Sequence, residues 1–478
     1  MTASPDQIAA LAEELTALLG ERGVTTELRG REKASVDGAK MSPILSEQLP
    51  LGLADIVAFP TSAEQIAEIV AAAVRHGVSV TPRGKGTGNY GQAIPLEGGL
   101  VLDMSKARAV VEVADGRLTA EAGATMVAIE QAARETGQQI LMYPSTAQSS
   151  IGGFLSGGSG GTGSIKHGSN MSGDYVLALD VVYAGPEAAL VHVEGEAAQP
   201  YVHTYGTAGI IARATIALEP MQEWVGFYAS FPAFSDATSV LQQIGWLEPT
   251  PRLVSADLPT IADVLPDDPA IPKGRASLRA ILDASTVEGA TALVEGAGGR
   301  VEEVREGPQA TVKISMLSYN HPIEWLQKSS DESYFHVEVS GSALVDRLDE
   351  VHQVYPGAML HIEAQRDHPI GMLAAPYISP EAVYAGYDRL TALGVGFHSP
   401  HQWFVDHQVE RTKALAAETD PEGLLNPGKL PTGETVPTGT KWAGASRAGA
   451  AADEAVGEAA HAAADTAAGA AADEAVRA

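Results

Sequence analysis

Cysteine is absent from the 478-residue chain, which excludes disulfides, thiolate metal sites and a cysteine nucleophile, and is compatible with a reducing cytoplasm. Basic residues are scarce: Lys and Arg number 31 against 60 Asp and Glu, for a formal net charge of −29. Nucleic-acid binding needs concentrated cations to displace counterions, so no nucleic-acid partner is expected. An anionic membrane surface would also repel the chain, and its acidity reads as solubility. No run reaches the ~20 apolar residues of a membrane span, so no membrane partner is expected. Met1 to Asp6 lacks both the basic and the apolar region of a signal peptide. The expected location is cytoplasmic. Aromatic residues are few, at 5%. Even so, 45% hydrophobic residues with a mean hydropathy near zero can bury a large core in more than one domain.

Glycine is plentiful, at 50 residues, and it clusters. Pro82-Arg83-Gly84-Lys85-Gly86-Thr87-Gly88-Asn89, Ile151-Gly152-Gly153 running to Gly168, and Gly206-Thr207-Ala208-Gly209-Ile210-Ile211 each follow an apolar, strand-like run. Glycine lets successive backbone N–H groups converge on an anion at close range. Around these stretches the periodicity is mixed. Gln7 to Gly20 and Ala63 to His76 carry apolar residues at helical spacing, as does Thr125 to Thr136, with Gly137 placed as a left-handed cap. Ile56 to Phe59, Val78 to Val80, Leu100 to Met104, Tyr175 to Tyr183 and Ile210 to Leu218 read as strands, and Asp115-Gly116 as a hairpin turn. Beyond Pro220 strands and helices alternate. From about Thr432 an Ala, Gly and acid-rich tail repeats Gly-Ala-Ala-Ala-Asp-Glu-Ala-Val and offers too little apolar surface to offset chain entropy.

Two nucleotide motifs fail on inspection. A Walker A loop needs Ser or Thr after its lysine, and Gly86 follows Lys85. Gly158, Gly160 and Gly163 satisfy the dinucleotide-binding spacing, but Ser164 to Asn170 has neither an apolar helical period nor the acidic residue that reading requires. A different pattern uses more of the chain. Pro82 to Gln92, Pro144 to Gly153, Gly168 to Val182, Gly206 to Pro220 and Asp420 to Leu430 occur in the order of P-R-G-x-G-T, I-G-G, G-x-x-x-D-x-V-L, G-T-L-G-I-I and G-L-L-N-P-G-K. In these blocks the chain resembles the FAD-linked oxidases of the vanillyl-alcohol oxidase and p-cresol methylhydroxylase superfamily, whose FAD-binding domain is called PCMH-type.

The resemblance implies an α+β fold: a two-lobed FAD-binding domain, an α+β substrate cap and a disordered tail. The expected boundaries are 1–45 for an N-terminal helical segment, 46–222 for the flavin domain, 223–405 for the cap, 406–430 for a return to the flavin domain and 431–478 for the tail. It implies FAD as cofactor, held by Pro82, Arg83, Gly84, Lys85, Gly86, Thr87, Gly88, Asn89, Ser149, Ser150, Gly152, Gly153, Gly157, Gly158, His167, Gly168, Gly209, Ile210, Ile211 and Asn426. Many members tether FAD through a histidine of the first loop. Thr87 stands at that position and there is no cysteine, so noncovalent FAD is expected. The G-D-G-N-x-H segment of the glycolate oxidase and D-lactate dehydrogenase branch is missing, which disfavours metal-dependent 2-hydroxy acid oxidation, and no metal is expected.

Oxidation at a flavin removes a hydride while a side chain handles the accompanying proton. Tyr319, His321 and His398 are the expected catalytic residues, since Tyr319-Asn320-His321 and Phe397 to Trp403 set titratable groups beside aromatic or amide neighbours. His361 and Glu363, two apart on a strand, share one face. Trp325, Trp403 and Phe404 are candidates for a pocket wall or for the core. The partner expected is a small-molecule substrate, an alcohol, hydroxy acid or amine. The electron acceptor and the oligomeric state, a homodimer included, stay open. The rival readings are an FAD-binding electron-transfer or assembly subunit, an NADPH-dependent flavin reductase resembling UDP-N-acetylenolpyruvylglucosamine reductase, and a scaffold that binds no flavin.

Overall fold

The computed structural model describes residues 3–431; the repeats of the acidic tail, from residue 432 onward, lie outside the described residues. The described residues form an α+β fold. It opens with a helix over Pro5–Leu19, capped by Ser4, whose side chain accepts from the Gln7 N–H while Gln7 accepts in return. Strands β1 (Val24–Thr25), β2 (Ile56–Ala58), β3 (Val80–Arg83) and β4 (Leu100–Asp103) form a small sheet in the order β1-β2-β4-β3, with β2, β3 and β4 parallel. The helix Ala63–Arg75 makes the β2–β3 crossover and buries Ile66, Ile69 and Val70, the apolar stripe visible in its sequence. Parallel pairing delivers β3 directly into the first glycine loop.

A second sheet contains β5 (Val110–Ala114), β6 (Arg117–Glu121), β7 (Gln138–Ile140), β8 (Val176–Val182), β9 (Leu190–Glu194) and β10 (Ile210–Pro220). Its order is β5-β6-β10-β8-β9, with β7 pairing the far end of β10. Gly116, at φ +73°, turns the β5–β6 hairpin, and Gly137, at φ +74°, follows the helix Met126–Arg134.

The third sheet contains β11 (Trp224–Phe231), β12 (Leu253–Asp257), β13 (Ala276–Asp283), β14 (Arg300–Glu306), β15 (Tyr334–Ser340), β16 (Met359–Glu363), β17 (Ile370–Pro376) and β18 (Gly396–His398). Their order is β14-β11-β13-β12-β16-β17-β15-β18. All its pairings are antiparallel. Alternation gives the sheet two unlike faces. Val254, Ala256, Leu278, Ala280, Leu360 and Ile362 join one large apolar cluster with the helices Phe234–Gly245 and Val287–Gly296. The opposite face carries a polar row: Ser277, Asp257, His361, Met372, Glu338 and His398 are successive register partners from β13 to β18. Past β18 the helix Val409–Thr419 leads back to the first sheet, where Val80 N–H donates to Leu424 O and Asn426 N–H to Val80 O. No helix among the described residues is long and apolar enough to cross a membrane.

Candidate active site

The Met372, Glu338 and His398 end of the polar row faces the glycine loops across a cavity of about 1560 Å³, more than the ~300–1,000 Å³ of an ordinary small-molecule pocket. On one side lie Pro82 to Asn89, Ser149, Ser150, Gly152, Gly153, Gly157, Gly158, His167, Gly168, Ile210 and Ile211. Among the described residues, none of the backbone N–H groups from Gly84 to Asn89 donates to a protein acceptor. Such a run of unbonded donors lining a cavity is an anion nest. Its shape depends on glycine at two points. A Cβ on Gly84 would collide with Ser150 Oγ, and Gly86 sits at φ +63°. Ser150 caps the helix Ile151–Gly157, accepting from Gly153 N–H at 3.3 Å, so that helix also begins at the cavity wall.

Two expected cofactor residues lie off the lining. Gly209, at φ +115°, packs against Val181 and Tyr201. Asn426 is buried behind the cavity, where its Nδ2 donates to Gln92 O at 3.0 Å and Tyr205 O at 2.7 Å. Lys429, fully buried, donates to Gly91 O, and burial lowers its pKa to about 7. The returning C-terminal segment therefore braces the loop that carries Tyr90.

Tyr319, His321 and His398 all line the cavity from the cap side. His398 is held between two carboxylates, with Nδ1 at 2.9 Å from Glu338 and Nε2 at 2.6 Å from Asp406. Burial alone would lower its pKa, but Glu338 and Asp406 outweigh that and raise it to about 10. His398 is thus an imidazolium at neutral pH. Glu338 also accepts a hydrogen bond from Tyr90 O–H, and the buried Tyr90 phenol is pushed well above its ordinary range by desolvation and by Glu338. His321 is held differently. Its Nδ1 lies 3.2 Å from Glu324 Oε2 and its Nε2 3.2 Å from Thr146 Oγ1. One carboxylate orients this ring, and its other nitrogen faces the segment from Pro144 to Ser150.

Sequence reasoning missed Tyr90, Glu338 and Asp406, as well as His203 and Tyr205, which line the cavity with left-handed backbone at φ +62° and +54°. Tyr90 was legible in principle, since it directly follows the first loop. Trp325, Trp403 and Phe404 stand outside the lining: Trp325 lies on the outer side of the helix His321–Lys328, under Lys328 Nζ, and Trp403 packs near Leu96. Among the described residues no group of three or more His, Asp and Glu is arranged to hold a metal.

The family model of an FAD-binding domain matches residues 54–190, the stretch that holds the first two glycine segments. The chain carries an FAD-binding domain. Its curated relatives include an uncharacterised FAD-linked oxidoreductase of Mycobacterium tuberculosis, 27% identical over 39% of this chain and 42% of that protein. A D-lactate dehydrogenase of Archaeoglobus fulgidus is 28% identical over 40% and 44%, so these matches span less than half of either relative. A glycolate oxidase subunit of Bacillus subtilis is 25% identical over 79% of this chain and 88% of that protein. Among solved structures, an alkyldihydroxyacetonephosphate synthase superposes with a TM-score of 0.71 at 18% identity, covering 90% of this chain and 85% of that one. A 4-ethylphenol oxidase of Gulosibacter chungangensis gives 0.64 at 17% identity, covering 90% and 98%. These likenesses establish the shared fold. The first loop offers unbonded N–H groups of the kind that bind an anion, beside a cavity large enough for a dinucleotide.

Proposed function

We propose that the protein is an FAD-dependent oxidoreductase that oxidises a small organic substrate at a C–H bond next to oxygen or nitrogen. One cavity joins the glycine nest to two carboxylate–histidine groups, His321 with Glu324 and His398 with Glu338 and Asp406, and this juxtaposition supports the reading. Bound FAD would supply a two-electron acceptor. The nest from Gly84 to Asn89 would hold it, with Ser149 to Gly158 alongside, and Thr87 in place of a tethering histidine makes the binding noncovalent.

The side chains divide the remaining work by their hydrogen-bond partners. His321, oriented by Glu324, is the group suited to accept the proton of a substrate hydroxyl or amine. His398, already protonated and clamped by Glu338 and Asp406, is suited to donate a hydrogen bond and to fix Glu338, which in turn aims the Tyr90 hydroxyl. Tyr319 forms the wall beside them. Residues 46–222 serve as the flavin domain, 223–405 as the cap and 406–430 as the return segment that braces Tyr90. Substrate choice resides in the cap.

The test is an anaerobic screen of the FAD-loaded protein against alcohols, amines and 2-hydroxy acids, monitored by bleaching of the visible flavin band. Bleaching by one class, slowed at least ~100-fold by His321→Ala as the loss of a general base requires, is the expected result. A flavin that no organic donor reduces, yet that accepts electrons from a protein donor, would turn the reading towards an electron-transfer subunit.

A further inference from the structure

A second charged group lies on the same face of the large sheet, beyond Met372, and does not line the cavity. Arg279 and Asp257 form a fully buried ion pair. Arg279 also donates to Ser277 Oγ at 2.9 Å and to Leu317 O at 2.8 Å. The other oxygen of Asp257 lies 2.7 Å from His361 Nδ1, and His361 Nε2 lies 3.0 Å from Glu363 Oε1. The four residues are at most 2% exposed. With a carboxylate at each ring nitrogen, His361 carries both protons, so the group holds two cations and two anions and is neutral as a whole. Burying four charges is costly unless each is matched, and the packing of a sheet against a helix does not require them.

The chain of contacts ends on backbone. Glu363 Oε1 accepts the Tyr319 N–H at 2.7 Å. Tyr319 has φ +57°, a left-handed conformation that is strained for a non-glycine residue and persists only where its surroundings enforce it. It is also the residue at which the helix Pro308–Ser315 gives way to the helix His321–Lys328, so its backbone sets where Tyr319, Asn320 and His321 meet the cavity. Arg279, bonded to Leu317 O, holds the same turn two residues earlier.

We propose that Glu363 is a positioning residue: fixed by His361, Asp257 and Arg279, it clamps the Tyr319 N–H and thereby holds the Tyr319–His321 wall of the cavity in place. The clamp needs a carbonyl-type oxygen at the end of residue 363. The charge of Glu363 orients that oxygen through His361 but is not itself what Tyr319 recognises.

Amide hydrogen exchange resolved at Tyr319, in the full-length protein, tests this directly. In the wild type the Tyr319 amide should exchange at least 100-fold more slowly than an unbonded loop amide. Glu363→Ala should remove that protection at Tyr319, leaving the amides of β13 unchanged, whereas Glu363→Gln, which keeps the acceptor oxygen, should retain most of it. A merely structural role for the ion cluster would make Gln behave like Ala, since both remove the charge, and that result overturns the proposal. So does an unprotected Tyr319 amide in the wild type, a measurement that does not depend on any variant folding. Equal protection at Tyr319 in wild type and Glu363→Ala contradicts it as well.

Discussion

Two histidines in one cavity are held by different numbers of carboxylates: His398 by Glu338 and Asp406, His321 by Glu324. His398 has two and remains protonated, so its imidazole carbons should titrate near 10 in histidine-resolved NMR, in place of the ordinary ~6.5. A histidine raised in this way stabilises the fold fully below its unfolded pKa, and the contribution is lost as the pH climbs through about 10. Glu338→Gln removes one of the two carboxylates. The difference in melting temperature between wild type and Glu338→Gln should therefore be largest near pH 6 and shrink towards pH 10; a difference independent of pH would show that Glu338 does not hold the proton on His398. The same variant should also slow turnover, because Tyr90 loses its charged acceptor.

At the scale of elements, the nest is a strand–loop–helix arrangement in which one side chain too many matters. Gly84→Ala pushes a methyl group into Ser150 Oγ, the cap of the helix Ile151–Gly157. Loss of such a cap costs about 1 kcal/mol. FAD affinity should fall at least ~10-fold, or about 1.4 kcal/mol, as read by flavin titration, and Gly84→Ala with Ser150→Ala should recover part of the stability but not the affinity. The glycine loops were legible in the sequence because their chemistry is local: backbone N–H groups within one loop need no distant partner. The Ala63–Arg75 helix and the β8 and β10 strands were legible for the same reason, as their period shows within a dozen residues. Glu338 and Asp406 were not. Glu338 meets His398 only because β15 pairs with β18 across 60 residues of chain, and Asp406 comes from the loop beyond. His361 and Glu363 were placed on one strand face, but which of the sheet's two faces turns to the cavity is fixed by tertiary packing.

The two halves of the molecule are joined by side chains as well as by chain connections. Arg252, 5% exposed and just ahead of β12, reaches into the flavin domain, where its guanidinium meets Glu130 at 3.2 Å and donates to Ile140 O. Its own carbonyl accepts from Gly163 N–H at 2.7 Å, and its side chain stacks against Tyr143 and Trp224. Arg252→Ala strips a buried carbonyl and Glu130 of a donor, although Arg134 still pairs Glu130 at 2.9 Å. A cost of about 3 kcal/mol is expected, seen as the cap and the flavin domain unfolding in separate denaturant transitions; a single cooperative transition at unchanged midpoint would show that this link does not couple them. Whether the cavity between these halves holds noncovalent FAD is read from the visible spectrum of the purified protein before and after acid precipitation. Flavin bands at about 375 and 450 nm that pass into the supernatant are the expected result. Bands retained in the pellet would contradict noncovalent binding at Thr87, and a colourless protein that takes up no added FAD would show that the cavity does not hold a flavin.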